Sequence, residues 1–293
     1  MSSPFVRRRR LGAELRALRL SRNLTTEQLG ALFHRSRMKI SRLENAQVRP
    51  DLAEVMDLLD LLEPTEEKRA QILRIAREAA ARGWWDAYGV AMGDRQRLYA
   101  DLESGAATIR EYHYGSMPGL MQLPEFTRAL IEREQAEHQI TYIPERMIEA
   151  RLRRQATVFR ENGPSYEVIV DEIGLRRFNI PAHLMARQLK HIVGLSHQHA
   201  RLTVRVLPFR TGRTRIPWPM RQIKLLTFID PADTAMAVSE TTSADVMYTD
   251  PAEVAHHVHR YETVRDEALS EVASLAMLEE IADHISHETG THG

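Results

Sequence analysis

Arg37 and Arg42 are five residues apart in a short basic segment that follows a turn at His34 and Arg35. The guanidinium fork of an arginine can bind the two acceptors that a guanine presents in the major groove of DNA. The segment therefore carries side chains suited to recognising bases, provided that a helix displays them. The side chains predicted to face outward are Arg37, Met38, Lys39 and Arg42.

A helix that displays these side chains is predicted over residues 36–45. Ser36 is a good helix cap, because its side-chain oxygen can accept a hydrogen bond from an N–H group of the first turn. Ile40 and Leu43 are three residues apart, which places both on the inner side of the helix. A short basic helix after a tight turn suits a DNA groove.

Charge is unevenly distributed along the chain, although the total is zero. Residues 1–82 contain 17 Lys and Arg against 11 Asp and Glu, a balance of +6, and the remainder contains 23 against 29, a balance of −6. Such asymmetry marks the region where a polyanion would bind. The alternative is a solvated basic face with no partner.

Five short helices are predicted over the first 82 residues, and together they form an all-α domain. Helix one covers residues 8–20, with Leu11, Leu15 and Leu18 on one buried stripe. Helix two starts at Thr25 or Thr26, and Gln28 is placed to complete a capping box with Thr25. Helix four carries the apolar residues of 52–62, and helix five extends through residue 79.

This pattern resembles the lambda-repressor-like, XRE-type helix-turn-helix family over residues 11–81. The motifs that carry the resemblance are Glu27-Gln28-Leu29-Gly30, the stretch from Ser36 to Asn45, and Arg49-Pro50. The resemblance implies that Ser36, Thr26 and Asn45 contact phosphates, and that Arg37, Met38, Lys39 and Arg42 face base edges. It also implies a structural ion pair between Arg19 and Glu44 and a homodimer on two half-sites. Gln28, Arg8 and Arg9 complete the set of predicted DNA-binding residues.

Arg8 and Arg9 belong to a run of four arginines, residues 7–10, that precedes the buried stripe of the predicted first helix. As a flexible N-terminal arm (residues 1–10), this run would enter a minor groove or follow phosphates. The alternative is a disordered, solubilising tail.

Beyond residue 82 the hydrophobic periodicity changes, which predicts a mixed α/β domain over residues 83–285 with a flexible tail at 286–293. The predicted strands are residues 108–114, 166–170, 202–207, 223–229 and 235–238, and the predicted helices are 124–137, 144–160, 182–199 and 251–284.

This second region resembles the uncharacterised C-terminal domain of actinomycete XRE-type regulators, a family that includes WhiJ-like and Scr-type antitoxin-like proteins. The resemblance implies a small acidic partner protein, encoded nearby, that modulates DNA binding. The chain departs from the family at residues 210–219, where a glycine-rich turn is usual. The motifs of the resemblance include Trp84-Trp85-Asp86-Ala87-Tyr88, Pro118-Gly119-Leu120-Met121-Gln122, Arg154-Gln155 and Val206-Leu207-Pro208-Phe209.

The sequence offers no familiar catalytic or cofactor site. It contains no cysteine, no Walker loop, no G-x-S-x-G motif and no dinucleotide-binding fingerprint. His287-Glu288 is followed by His292, a spacing one residue longer than the zinc motif requires, and His256, His257 and His259 are expected on a solvated helix face. We therefore expect a cytoplasmic protein that is not an enzyme and binds neither metal nor cofactor.

Three functions remain open from the sequence. The first is a sequence-specific transcription regulator that is controlled through its second domain. The second is an antitoxin-like protein that sequesters a small cognate partner, with DNA binding serving autoregulation. The third is a repressor that senses a small molecule in its second domain.

Overall fold

The computed structural model describes residues 2–137, 139–210, 221–241 and 245–290. These residues form two compact units. The first unit consists of the chain up to Ala87 together with Leu98–Gly105 and Phe228–Thr234, and the second contains the rest.

Five helices dominate the first unit, which confirms the prediction of an all-α domain. They are α1 (Pro4–Ser21), α2 (Thr26–Leu32), α3 (Arg37–Glu44), α4 (Leu52–Leu62) and α5 (Glu66–Ala80). Each begins at a residue whose side-chain oxygen accepts a backbone N–H, which satisfies one of the free donors of the first turn. These caps are Ser3, Thr25, Ser36, Asp51 and Thr65.

The core of the first unit lies between the first helix and the last two. Leu11 and Leu15 of α1 pack against Val55 and Leu59 of α4, and Ile72 of α5 closes the same cluster. All five side chains are buried. Their i, i+4 spacing within α1 and within α4 is the pattern of helices that bury one face.

The N-terminal arginines lie inside α1, so the prediction of a flexible arm is wrong. The Ser3 hydroxyl caps the helix at the Val6 N–H and also donates to Asp101, 2.6 Å away. A Cβ added to Gly105 would lie 2.2 Å from the Ser3 nitrogen, so the chain passes very close to the start of α1. Arg7 is only 8% exposed. The arginines are held by carboxylates far away in the sequence, which local reasoning does not reveal.

The second unit is built on a six-stranded mixed sheet, which confirms the predicted α/β class. Trp84–Met92 forms 3-10 turns before the first of the remaining helices. The strand order is β3-β2-β1-β4-β5-β6. The strands are β1 (Ala106–His113), β2 (Ser165–Asp171), β3 (Leu202–Leu207), β4 (Ile223–Phe228), β5 (Met236–Ser239) and β6 (Val246–Tyr248). α6 (Asp94–Ser104) starts in this unit, but its residues from Leu98 onward belong to the first unit. The helices that lie wholly in the second unit are α7 (Pro124–Glu137), α8 (Pro144–Val158), α9 (Glu172–Arg176), α10 (Ala182–Gln198), α11 (Pro251–Glu267) and α12 (Glu271–Gly290).

In this sheet the parallel strands are joined by long connections and the antiparallel strands by short ones. The strands β1, β2 and β3 are parallel, and helices α7 to α10 supply the two crossovers that parallel neighbours require. The strands β4, β5 and β6 are antiparallel and need only short connections. One face of the sheet packs on α11, where Tyr112 and Leu225 contact Tyr261 and Val264 in a buried cluster.

The C-terminal helical segment differs from the prediction of a single helix over 251–284. α11 ends at Glu267, because Ala268 adopts an extended conformation (ψ 153°), and α12 begins at Glu271. α12 then continues to Gly290, so residues 286–290 are helical and are not part of the flexible tail that the sequence predicts. Residues 291–293 lie outside the described part of the chain.

Candidate nucleic-acid interface

The turn between α2 and α3 is tight and depends on a glycine. The Arg35 N–H donates to the Gly30 carbonyl at 2.8 Å, and His34 has a left-handed backbone (φ 52°). A Cβ on residue 30 would lie 2.8 Å from the Arg35 carbonyl oxygen, closer than real Cβ contacts come. Gly30 therefore fixes the angle at which α3 leaves the turn.

A complete capping box fixes the start of α2. The Gln28 N–H donates to the Thr25 hydroxyl at 3.1 Å, and the Thr25 N–H donates to the Gln28 side-chain oxygen at 2.8 Å. Gln28 is exposed and Thr26 is half-buried. Because the amide oxygen of Gln28 is engaged in the cap, its amide nitrogen is the group placed to donate to a phosphate.

The base-reading candidates lie on the exposed side of α3. Ser36 caps the helix by accepting the Lys39 N–H at 3.3 Å. Met38, Arg42 and Asn45 are spaced i, i+4, i+7 and so form one exposed stripe, and Met38 is 69% exposed. Ile40, on the opposite side, is buried against α2 and α4. The helix thus buries an apolar contact and leaves its polar side chains exposed.

The cations of α3 differ in how they are held. Among the described residues, no hydrogen bond or ion pair engages the guanidinium of Arg37 or of Arg42, and both side chains are exposed. The Lys39 ammonium instead forms an ion pair with Glu54 of α4, which also pairs with Arg35 at 3.3 Å. Base contact through Lys39 would have to compete with Glu54, which lies outside the set of predicted DNA-binding residues.

A cleft of about 340 Å³ lies beside the exposed stripe of α3. Its lining includes Met38 and Arg42 from the helix and Arg49 from the following loop. Asp86 accepts two hydrogen bonds from the Arg49 guanidinium, at 2.9 and 3.1 Å, so that this side chain is held in place.

Asn45 is less available than the resemblance implies. Its side-chain amide nitrogen donates to the Ser41 carbonyl at 2.8 Å and lies 3.2 Å from the Ser41 hydroxyl. A direct phosphate contact from Asn45 would have to come from its amide nitrogen and compete with these bonds, since a phosphate only accepts.

Arg19 and Glu44 form a bidentate ion pair that joins α1 to the end of α3. The two N···O distances are 2.6 and 2.8 Å, and a third N–H of Arg19 donates to the Leu24 carbonyl at 2.7 Å. The hydrogen bond to Glu44 raises the pKa of Arg19. A Cβ on Gly12 would lie 2.3 Å from the Glu44 carbonyl oxygen, so the two helices are in backbone contact there. The pair holds α3 in place.

Arg8 and Arg9 are half-buried on α1. The Arg8 guanidinium lies 3.5 Å from the Asp101 carboxylate, and burial lowers the pKa of both arginines. Their assignment to DNA stays a prediction, and the structure places them on a helix and not on an extended arm.

Two family models match the chain, one in each of its two regions. A model described as a helix-turn-helix domain matches residues 10–72, and a model described as a domain of unknown function (DUF5753) matches residues 96–280. The second match covers more than half of the chain. The chain belongs to the DUF5753 family. Neither the curated proteins nor the solved structures gave a match.

In this DUF5753 protein, the described residues show no group of three or more histidine, aspartate and glutamate side chains that could hold a metal ion. His292, the last member of the imperfect zinc motif, lies outside the described residues. Within the same described ranges, no helix has the length and apolar character needed to cross a membrane.

Proposed function

We propose that this DUF5753 protein is a sequence-specific transcription regulator of the XRE type that reads the major groove with α3. The observation that carries the proposal is the exposure of Arg37 and Arg42, without partners among the described residues, on a helix fixed by the tight turn at Gly30. An exposed arginine fork is the commonest side chain to recognise guanine in the major groove. The helix-turn-helix match over residues 10–72 supports DNA as the partner.

The remaining interface residues have a different proposed role. Ser36 and Thr26 lie at the N-termini of α3 and α2, where a hydroxyl and the helix dipole both favour a phosphate. Contacts of this kind fix register without reading sequence. We therefore assign base recognition to Arg37, Met38 and Arg42, and positioning to Ser36, Thr26 and Gln28.

Salt dependence tests whether phosphate contacts supply the affinity. For the full-length protein on genomic DNA fragments, we expect the logarithm of the association constant to fall linearly with the logarithm of the salt concentration. The slope of this line should be about −0.9 for each phosphate contact. A genome-wide footprint at one salt concentration should show discrete enriched sites. Failure to bind any duplex at low ionic strength would refute the proposal.

We also propose, from the family resemblance, a homodimer on two half-sites and a small acidic partner protein encoded nearby. A DNA-binding domain at residues 11–82 would then be controlled through a regulatory domain at 83–285. Repeating the footprint with the product of the neighbouring gene separates the alternatives. Loss of footprints at all sites supports control by a partner, whereas protection confined to the protein's own locus favours the antitoxin-like function.

Ion pairs in the first unit support control through the DUF5753 region. The loop Phe228–Thr234 follows β4 in that region and yet belongs to the first unit. Its Asp230 and Asp233 accept from Arg7 at 2.9 and 3.0 Å, and Asp230 accepts from Arg10 at 2.7 Å. The Ala232 N–H and the two arginines hold the pKa of Asp230 well below its usual range. A movement of this loop would therefore break or lengthen the ion pairs that hold α1.

Removal of both loop carboxylates tests this connection. In D230N/D233N, Glu78 (2.6 Å) is the one anionic partner that Arg7 keeps among the described residues, so we expect the opening free energy of α1 to fall by about 3 kcal/mol. Native-state hydrogen exchange of the α1 amides measures it. The control is D57N, which removes an exposed carboxylate of α4 and should change α1 by less than about 0.5 kcal/mol. Equal protection in both variants would show that the loop does not hold α1.

A further inference from the structure

A second cavity, of about 240 Å³, lies in the second unit between α11 and the ends of β4 and β5. Ile223 and Ser239 pair at these strand ends and both line the cavity. Four of its side chains carry N–H donors that are or can become cationic, and no aspartate or glutamate lines it among the described residues. These four are Arg221, His256, His257 and Arg260.

The cavity residues that belong to α11 are brought to one side of the helix by its periodicity. His256 and Arg260 are four residues apart, and His257 and Tyr261 are likewise four apart, so all of them share one helix face. Arg221 is two residues before Ile223 and so points to the same face of the sheet. No hydrogen bond or ion pair engages its guanidinium among the described residues.

Arginine and histidine supply the basic side chains that line this cavity. Burial lowers the pKa of His257, and the neighbouring His256 and Arg260 lower it further, while Glu253 acts in the opposite direction. The Tyr261 hydroxyl is already bonded to Glu167 at 3.0 Å, so only its ring contributes to the wall. The Tyr248 ring lies 4.3 Å from the His257 ring, centroid to centroid, and supplies a second aromatic wall.

We propose that this cavity binds the phosphate group of a small organic molecule. The guanidinium of Arg221 and the two imidazoles, in the same lining as Arg260, carry more N–H donors than the two oxygens of a carboxylate can accept, whereas a phosphate presents three oxygens and up to two charges. The rings of Tyr248 and Tyr261 and the side chain of Ile223 then contact the organic part. The cavity is small for a ligand site and concave, which favours a compact phosphate ester over a nucleic acid backbone. The proposal specifies the ligand class for the sensing alternative and does not depend on DNA binding.

Titration calorimetry with phenyl phosphate tests the proposal on the full-length protein. We expect saturable binding, weakened at least tenfold in R221Q/H256Q. Both of these side chains are exposed, so their replacement should leave the fold intact. The matched control is R177Q/H183Q, which removes the same two groups from exposed positions outside the cavity and should bind within twofold of the unchanged protein. The single variant R221E provides a second, charge-reversed test with the same expectation.

Three results would overturn the proposal. They are absence of saturable binding to the unchanged protein, equal affinity in the cavity and control variants, and displacement of phenyl phosphate by duplex DNA in R37A/R42A, whose base-reading arginines are gone. The last result would assign the cavity to a nucleic acid backbone. Because phenyl phosphate binding is measured without DNA, failure here leaves the proposed regulator function intact, and failure of the footprint leaves the cavity proposal intact.

Discussion

Replacing Glu44 by glutamine should lower the unfolding free energy of the first unit by about 3 kcal/mol. The substitution keeps the shape of the side chain and removes its charge. Arg19 cannot lose its proton to compensate, and its side chain is only 7% exposed, so a buried cation would remain with neutral acceptors in place of the carboxylate, namely the Leu24 carbonyl and the amide oxygen of the substituted side chain. Native-state hydrogen exchange of the α1 and α3 amides measures the loss.

The matched control is E63Q, which makes the same chemical change in an exposed pair. Glu63 lies 3.2 Å from Arg22, and the two side chains are 72% and 42% exposed. Exposed pairs contribute little, so E63Q should cost less than about 0.5 kcal/mol. If E44Q were as mild as E63Q, the Arg19–Glu44 pair would not be what holds α3 against α1.

The helices of the first unit were predictable because their signals are local. Thr25 with Gln28, and Ser36 ahead of Arg37, are capping patterns within four residues, and the core stripes follow helix periodicity. The outward orientation of Arg37 and Arg42 follows from the same periodicity once Ile40 is placed inside. The sequence therefore sufficed to predict the side of α3 that carries the candidate interface.

The features that escaped prediction depend on contacts distant in sequence. Arg7 pairs with Asp230 and Asp233, more than 220 residues away, so the contacts that hold the arginines cannot be predicted locally. Ser3 followed by Pro4 was a local helix-start signal, which the prediction of a flexible arm overlooked. Lys39 is held by Glu54 of another helix in the same way. Such ion pairs follow from the tertiary fold and not from local propensity.

The cavity in the second unit illustrates the same limit. His256, His257 and His259 were expected on a solvated helix face, because the outer two are spaced i, i+3, which is no convincing metal spacing. Arg221, which lines the cavity with the first two, lies 35 residues before His256, ahead of β4, and comes into reach only when that strand joins the sheet beside α11. β6, with three residues, and α9, with five, were missed because they are too short to show a period.

Arg42→Ala should weaken binding to the specific operator by about 1–3 kcal/mol, or roughly 5- to 150-fold, with a much smaller loss on random DNA. The guanidinium has no competing partner among the described residues, so the whole of its hydrogen-bonding capacity is available to a base edge. Ser36→Ala should instead weaken both kinds of DNA alike, because a phosphate contact carries no sequence information. Titrations of both variants on an operator from the footprint and on a scrambled duplex measure the two ratios.

Loss of one positive charge alone also weakens DNA binding, so the comparison needs a control arginine. Arg16 is exposed on α1 and, among the described residues, has no partner for its guanidinium, and Arg16→Ala removes the same charge away from α3. It should reduce affinity for operator and scrambled duplex equally and slightly, through long-range electrostatics. Should Arg42→Ala show the same ratio as Arg16→Ala, Arg42 would act as a surface charge only, and the base-reading role of α3 would have to be withdrawn.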